Sequence, residues 1–92
     1  MKPHHLYEII DKENEDIFKS GISCDPIDKD GMSDRMRKQI SFLNHLYEWA
    51  RFFGRIIMFD IPGKKAARDI ETRHIKDYEE ENGRKPKGNI RY

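Results

Sequence analysis

Ninety-two residues suffice for one small core, so residues 1–92 are read as a single domain. Apolar residues make up 36% and charged residues 38%, which sets a compact core under a charged surface, and ten aromatics spread along the chain exclude disorder throughout. The net charge of +1 gives no general field for nucleic acid, no apolar run nears the roughly 20 residues of a membrane span, and the lone Cys24 excludes an internal disulfide.

Residues 1–5 lack the apolar run of a secretion signal, and His4 and His5 are expected at the surface. Residues 5–10 are rich in β-formers, with Tyr7 and Ile9 on one face and Leu6 and Ile10 on the other. The polar segment 11–16 predicts a turn with Asn14 at its corner. Residues 17–23 predict a second strand, and the two make an antiparallel hairpin. Gly21 within that strand marks a bulge or the close approach of another backbone or a ligand. Residues 24–31 hold Pro26, Gly31 and three aspartates, so they form a loop. The Asp28 and Asp30 spacing lacks the other ligands of a calcium loop.

Ser33 is placed to cap a helix in which Met36, Ile40, Leu43, Tyr47 and Ala50 recur at steps of four and three. That helix is expected to reach about Phe52 and to stop at Gly54. Arg35 sits in its first turn at the border of the buried face. Arg37 and Lys38 make the helix start basic, a local patch able to hold phosphates. A neighbouring stripe of Phe42, Leu46, Trp49 and Phe53 reads as core packing, any exposed part of which would suit a partner. His45 is expected at the surface.

Residues 55–61 form a continuous apolar run, expected to be a central strand covered on both faces. After Pro62 and Gly63 a second helix spans 64–82, with Ala67, Ile70, Ile75 and Tyr78 as its apolar positions. Glu71 lies among them and points toward the packed side. A carboxylate there needs an arginine or a metal ion, because an isolated buried charge is costly, and the helix alone leaves both open. His74, one turn further, is read as a core or supporting histidine. The tail carries Arg84, Lys85, Lys87 and Arg91, with turn chemistry and no periodicity. The order β-β-α-β-α predicts a small α/β sandwich, a three-stranded mixed or antiparallel sheet covered by two helices.

Laid out in this order, the chain resembles the GIY-YIG nuclease domain over nearly its whole length. Tyr7 matches the tyrosine of that family's first strand, and Lys19-Ser20-Gly21 lies where its second motif belongs. Arg35 matches the arginine early in the first helix, Glu71 the glutamate of the second, and Asn89 the asparagine of the tail. The first motif departs from the family by lacking its glycine, and the second by carrying Lys19 in place of a tyrosine. More narrowly, residues 17–23 followed by 30–35 look like the nuclease tips of bacterial polymorphic toxins.

The resemblance implies a metal-dependent endonuclease, with DNA favoured over RNA as its substrate. Glu71 would hold a single Mg2+ (or Mn2+), Tyr7 would be the general base, Lys19 the cation beside it, and Arg35 the clamp on the scissile phosphate. Gly21, Arg37, Lys38 and Asn89 would contact substrate. It further implies a domain secreted or delivered to a target cell as part of a larger protein, acting in the cytoplasm and neutralised by a cognate immunity protein. The other expectation is a binding module of the same fold that has lost catalysis.

Overall fold

A computed structural model describes residues 2–89. The predicted order holds: β1 (Pro3–Asp11), β2 (Asp16–Ser23), α1 (Asp34–Tyr47), β3 (Phe52–Pro62) and α2 (Lys64–Asn82). Both strand pairings are antiparallel and the sheet order is β2-β1-β3, so β1 is central.

Alternation along β1 divides the core in two. Tyr7 and Ile9 pack with Met36 and Ile40 of α1 and with Phe52, while Leu6 packs with Ile61 and with Ala67 of α2. Each face of the sheet thus receives one helix. Burial of this apolar surface is the main source of stability, at about 1.5–3 kcal/mol for each fully buried large side chain.

Several expectations change. The 55–61 run is part of an edge strand, not the central one, and Ile57, Met58 and Phe59 are exposed. The shorter run in β1 is central because its residues 5–9 are buried on both faces. Helix α1 ends at Tyr47, where Glu48 turns left-handed (φ 63°) and donates its N–H to His45 O. Ending there frees Phe52 to enter the core as the first residue of β3. Gly54 therefore stops no helix; it lies inside β3, where a Cβ would stand 2.6 Å from Ile40 Cδ1, so it sets how closely α1 approaches the sheet.

The hairpin turn is built by Asp11, whose carboxylate accepts from Glu13 N at 3.0 Å and Asn14 Nδ2 at 2.9 Å, and Glu15 takes the left-handed backbone (φ 53°). Arg51 closes this corner with a two-pronged bond to Asp11, at 2.7 and 2.8 Å. The β1–β2 register slips at Ile9/Ile10, so the irregularity is not at Gly21. Gly21 faces Tyr7 instead, and a Cβ there would stand 2.5 Å from the phenol ring.

His5 is buried, not exposed, and its Nε2 lies 3.0 Å from Ser33 Oγ. Ser33 stands at the N-cap position as expected, but that hydroxyl serves His5 instead of the helix amides. The stripe of Phe42, Leu46, Trp49 and Phe53 is at the surface, Phe42 being 65% exposed. Among the described residues no helix is long and apolar enough to cross a membrane.

The described part of the tail docks on β2. Gly88 N donates to Phe18 O, and Asn89 grips Ser20 twice, accepting from its N–H at 2.8 Å and donating to its carbonyl at 3.0 Å. Arg91 lies outside the described residues.

Candidate active site

A cavity of about 530 Å³ runs along β2, taking consecutive residues 19–23 as one wall and side chains from β1, α1 and α2 as the others. Tyr7, Lys19, Gly21, Arg35, Glu71 and Asn89 all line it. Arg37 and Lys38 do not. Arg37 is turned toward the preceding loop, where Asp28, Asp30 and Asp34 hold its guanidinium at 2.9, 3.0 and 2.6 Å. A guanidinium so neutralised has little left to offer a phosphate, so the basic helix start divides into a structural Arg37 and a cavity-lining Arg35.

Local structure places each group. Tyr7 reaches the cavity from the central strand because its cross-strand neighbour is Gly21, and any larger residue would collide with the ring. Its hydroxyl donates to Gln39 Oε1 at 2.7 Å. Burial pushes the phenol pKa above its usual range, against the pull of the nearby Arg35 guanidinium. Asp25 accepts from the backbone N–H of Arg35 at 3.2 Å and so ties the loop to the first turn of α1.

Glu71 is half-buried and makes no hydrogen bond or ion pair among the described residues. Burial raises its carboxyl pKa, while Lys19, Arg35 and Arg68 act in the opposite direction by charge alone. An under-partnered carboxylate ringed by cations is suited to bind something positive and something negative together, which is what a metal ion with a bound phosphate presents.

Two groups went unrecognised in the sequence. Gln39 is four residues beyond Arg35 in α1 and so on the same side of the helix, a spacing that could have flagged it. Glu8 is buried in the central strand, 2% exposed, with Arg55 at 2.9 Å and His74 at 2.7 Å. Burial pushes its pKa up, but these two partners outweigh it and the carboxyl sits below its usual range. His74 is therefore committed to Glu8, and its pKa is raised by that bond.

Among the described residues no group of three or more His, Cys, Asp or Glu side chains is arranged to hold a metal ion. A single oxygen donor does not fit zinc, which takes three or four protein ligands. It does fit Mg2+, which keeps several waters and binds through one or two carboxylates plus substrate phosphates. Glu71 would be that carboxylate.

A family model for a toxin of the URI fold (URI fold toxin 2) matches residues 1–83. No curated protein and no solved structure matches the chain. With most of its length covered by that match, the chain belongs to the URI fold toxin 2 family.

Proposed function

We propose that this toxin domain is a metal-dependent endonuclease of the GIY-YIG kind, hydrolysing phosphodiester bonds of nucleic acid, DNA in preference to RNA. The observation that carries the reading is the meeting of Tyr7, Lys19, Arg35 and Glu71 in one open cavity with Glu71 unpaired. Four residues from four different elements have no structural reason to leave a half-buried carboxylate without a partner.

Phosphodiester hydrolysis requires a deprotonated water, charge stabilisation on the phosphate, and help for the leaving oxygen. Mg2+ or Mn2+ on Glu71 would supply Lewis-acid chemistry when bound. Arg35 holds the scissile phosphate with its two-pronged donor set, and Lys19 adds positive charge beside it. Tyr7 takes the proton of the attacking water. Because burial keeps its phenol protonated at rest, cleavage by this route rises with pH through the alkaline range. Gly21 leaves room for the ring, Gln39 orients its hydroxyl, and Asn89 holds the β2 backbone that carries Lys19 and Gly21.

As a toxin domain it would be delivered to a target cell as part of a larger protein, act in the cytoplasm, and be held in check at home by a cognate immunity protein. The protonated Tyr7 also favours a second reading, a binding module that holds nucleic acid without cutting it. Incubating purified protein with plasmid DNA and with total RNA, in Mg2+ or EDTA, separates the two. Metal-dependent cutting that Glu71→Gln abolishes supports the nuclease and names its substrate. Intact nucleic acid in every lane, from folded protein, supports the binding module.

A further inference from the structure

Apart from the exposed Arg73, which lies outside the cavity, the described arginines fall into two groups. Arg37, Arg51, Arg55 and Arg84 are each paired with carboxylates. Arg35 and Arg68 line the cavity and make no ion pair among the described residues, and the same holds for Lys19 and Lys64. Lys64 and Arg68 are four residues apart on α2, so both project from one side of its first turns into the cavity that Glu71 lines one turn later.

Stability does not explain this placement. The first turn of α2 carries no acidic residue, and its cap, Gly63, supplies no side-chain hydrogen bond to the free amides. Lysine at the positive end of a helix is unfavourable by about 0.3–1 kcal/mol. Helix α1 shows the ordinary solution, with Asp34 in its first turn. A second unsatisfied group lies in the same wall. Ser20, a cavity-lining residue only 1% exposed, has a hydroxyl with no hydrogen-bond partner among the described residues. Four cations without ion pairs among the described residues, Lys19, Arg35, Lys64 and Arg68, therefore line one cavity, whose wall also holds the unsatisfied Ser20.

We propose that Lys64 and Arg68 form a second phosphate subsite, which holds a backbone phosphate flanking the one held by Arg35. This rests on the nuclease reading and sharpens it: the ligand is a phosphodiester chain spanning at least two phosphates, not a mononucleotide.

The test is binding in EDTA, where no cutting occurs, of the full chain to a fluorescent single strand of about 12 nucleotides. Affinity is followed between about 50 and 200 mM salt for wild type, Lys64→Gln, Arg68→Gln and the double variant, with melting curves to show that each folds. Each substitution is expected to weaken binding and to lower the slope of log affinity against log salt by about 0.7, the double variant by about 1.4. Arg73→Gln, an exposed position on α2 outside the cavity, is expected to leave the slope unchanged. An unaltered slope in the folded double variant, an equal loss in Arg73→Gln, or no binding by wild type overturns the subsite. Cleavage in Mg2+ reports separately on the nuclease reading. Cutting with an unaltered slope sinks the subsite alone, while an altered slope without cutting sinks the nuclease alone.

Discussion

Glu8 and Glu71 are two carboxylates set into the same small fold, and the fold treats them oppositely. Glu8 sits in the central strand with Arg55 and His74 bonded to its two oxygens, and those partners overcome the effect of burial on its pKa. Glu71 sits in α2 beside cations that touch it only through space, and burial prevails. A saturated buried carboxylate ties elements together: here it joins β1 to β3 and α2. An unsaturated one is a liability in the empty fold and becomes useful only when something binds to it.

The largest expected effect follows from that contrast. Glu71→Gln should abolish cleavage, by on the order of a thousandfold or more if the metal supplies several kcal/mol, while its melting temperature stays the same or rises. A raised carboxyl pKa means that the charged form burdens the fold above the ordinary carboxylate range, and glutamine lifts that burden. A large drop in melting temperature would show that Glu71 is structural after all.

Glu8→Ala reverses the pattern. It leaves His74 and Arg55 without their shared acceptor and should destabilise by about 3 kcal/mol, read as a shift in denaturant midpoint. Gly21→Ala comes next: the new methyl meets the Tyr7 ring, and about 1–3 kcal/mol is expected together with loss of cleavage as the phenol is displaced. If Gly21→Ala stays fully active, Tyr7 is not held where its role requires.

The Glu8–His74 bond also carries a pH signature. His74 has a folded pKa raised above its ordinary 6.5, so its contribution is fully present below pH 6.5 and is lost as pH rises through the raised value. Melting temperature should decline across that window in wild type, and the decline should flatten in His74→Gln. Smallest of all, Phe42→Ser on the exposed stripe should change stability by less than about 0.5 kcal/mol and leave cleavage intact.

Much of this was legible residue by residue. The span of α2 (Lys64–Asn82) agrees with the helix expected from residue 64 to about residue 82 on its periodicity and the preceding Pro62 and Gly63. The opposite faces of Tyr7 and Leu6 followed from strand alternation. The Phe42 stripe misled because an apolar stripe shows that a face is sticky without showing that anything covers it. Arg37 misled for a related reason: three aspartates on the preceding loop and helix start converge on it only once the loop is folded back, along the Ile27–Ser33 bridge.

The sequence by itself therefore determined which segments are strands and helices, in what order, and which residue types could do chemistry, because those signals repeat within a few residues. Tertiary structure decided which strand is central, which cations are neutralised and which carboxylate is left bare. Those outcomes depend on partners far apart in the chain, such as Tyr7 with Gln39 at 32 residues, Glu8 with His74 at 66 and Ser20 with Asn89 at 69. A charge has no fixed role until the fold has chosen what stands beside it.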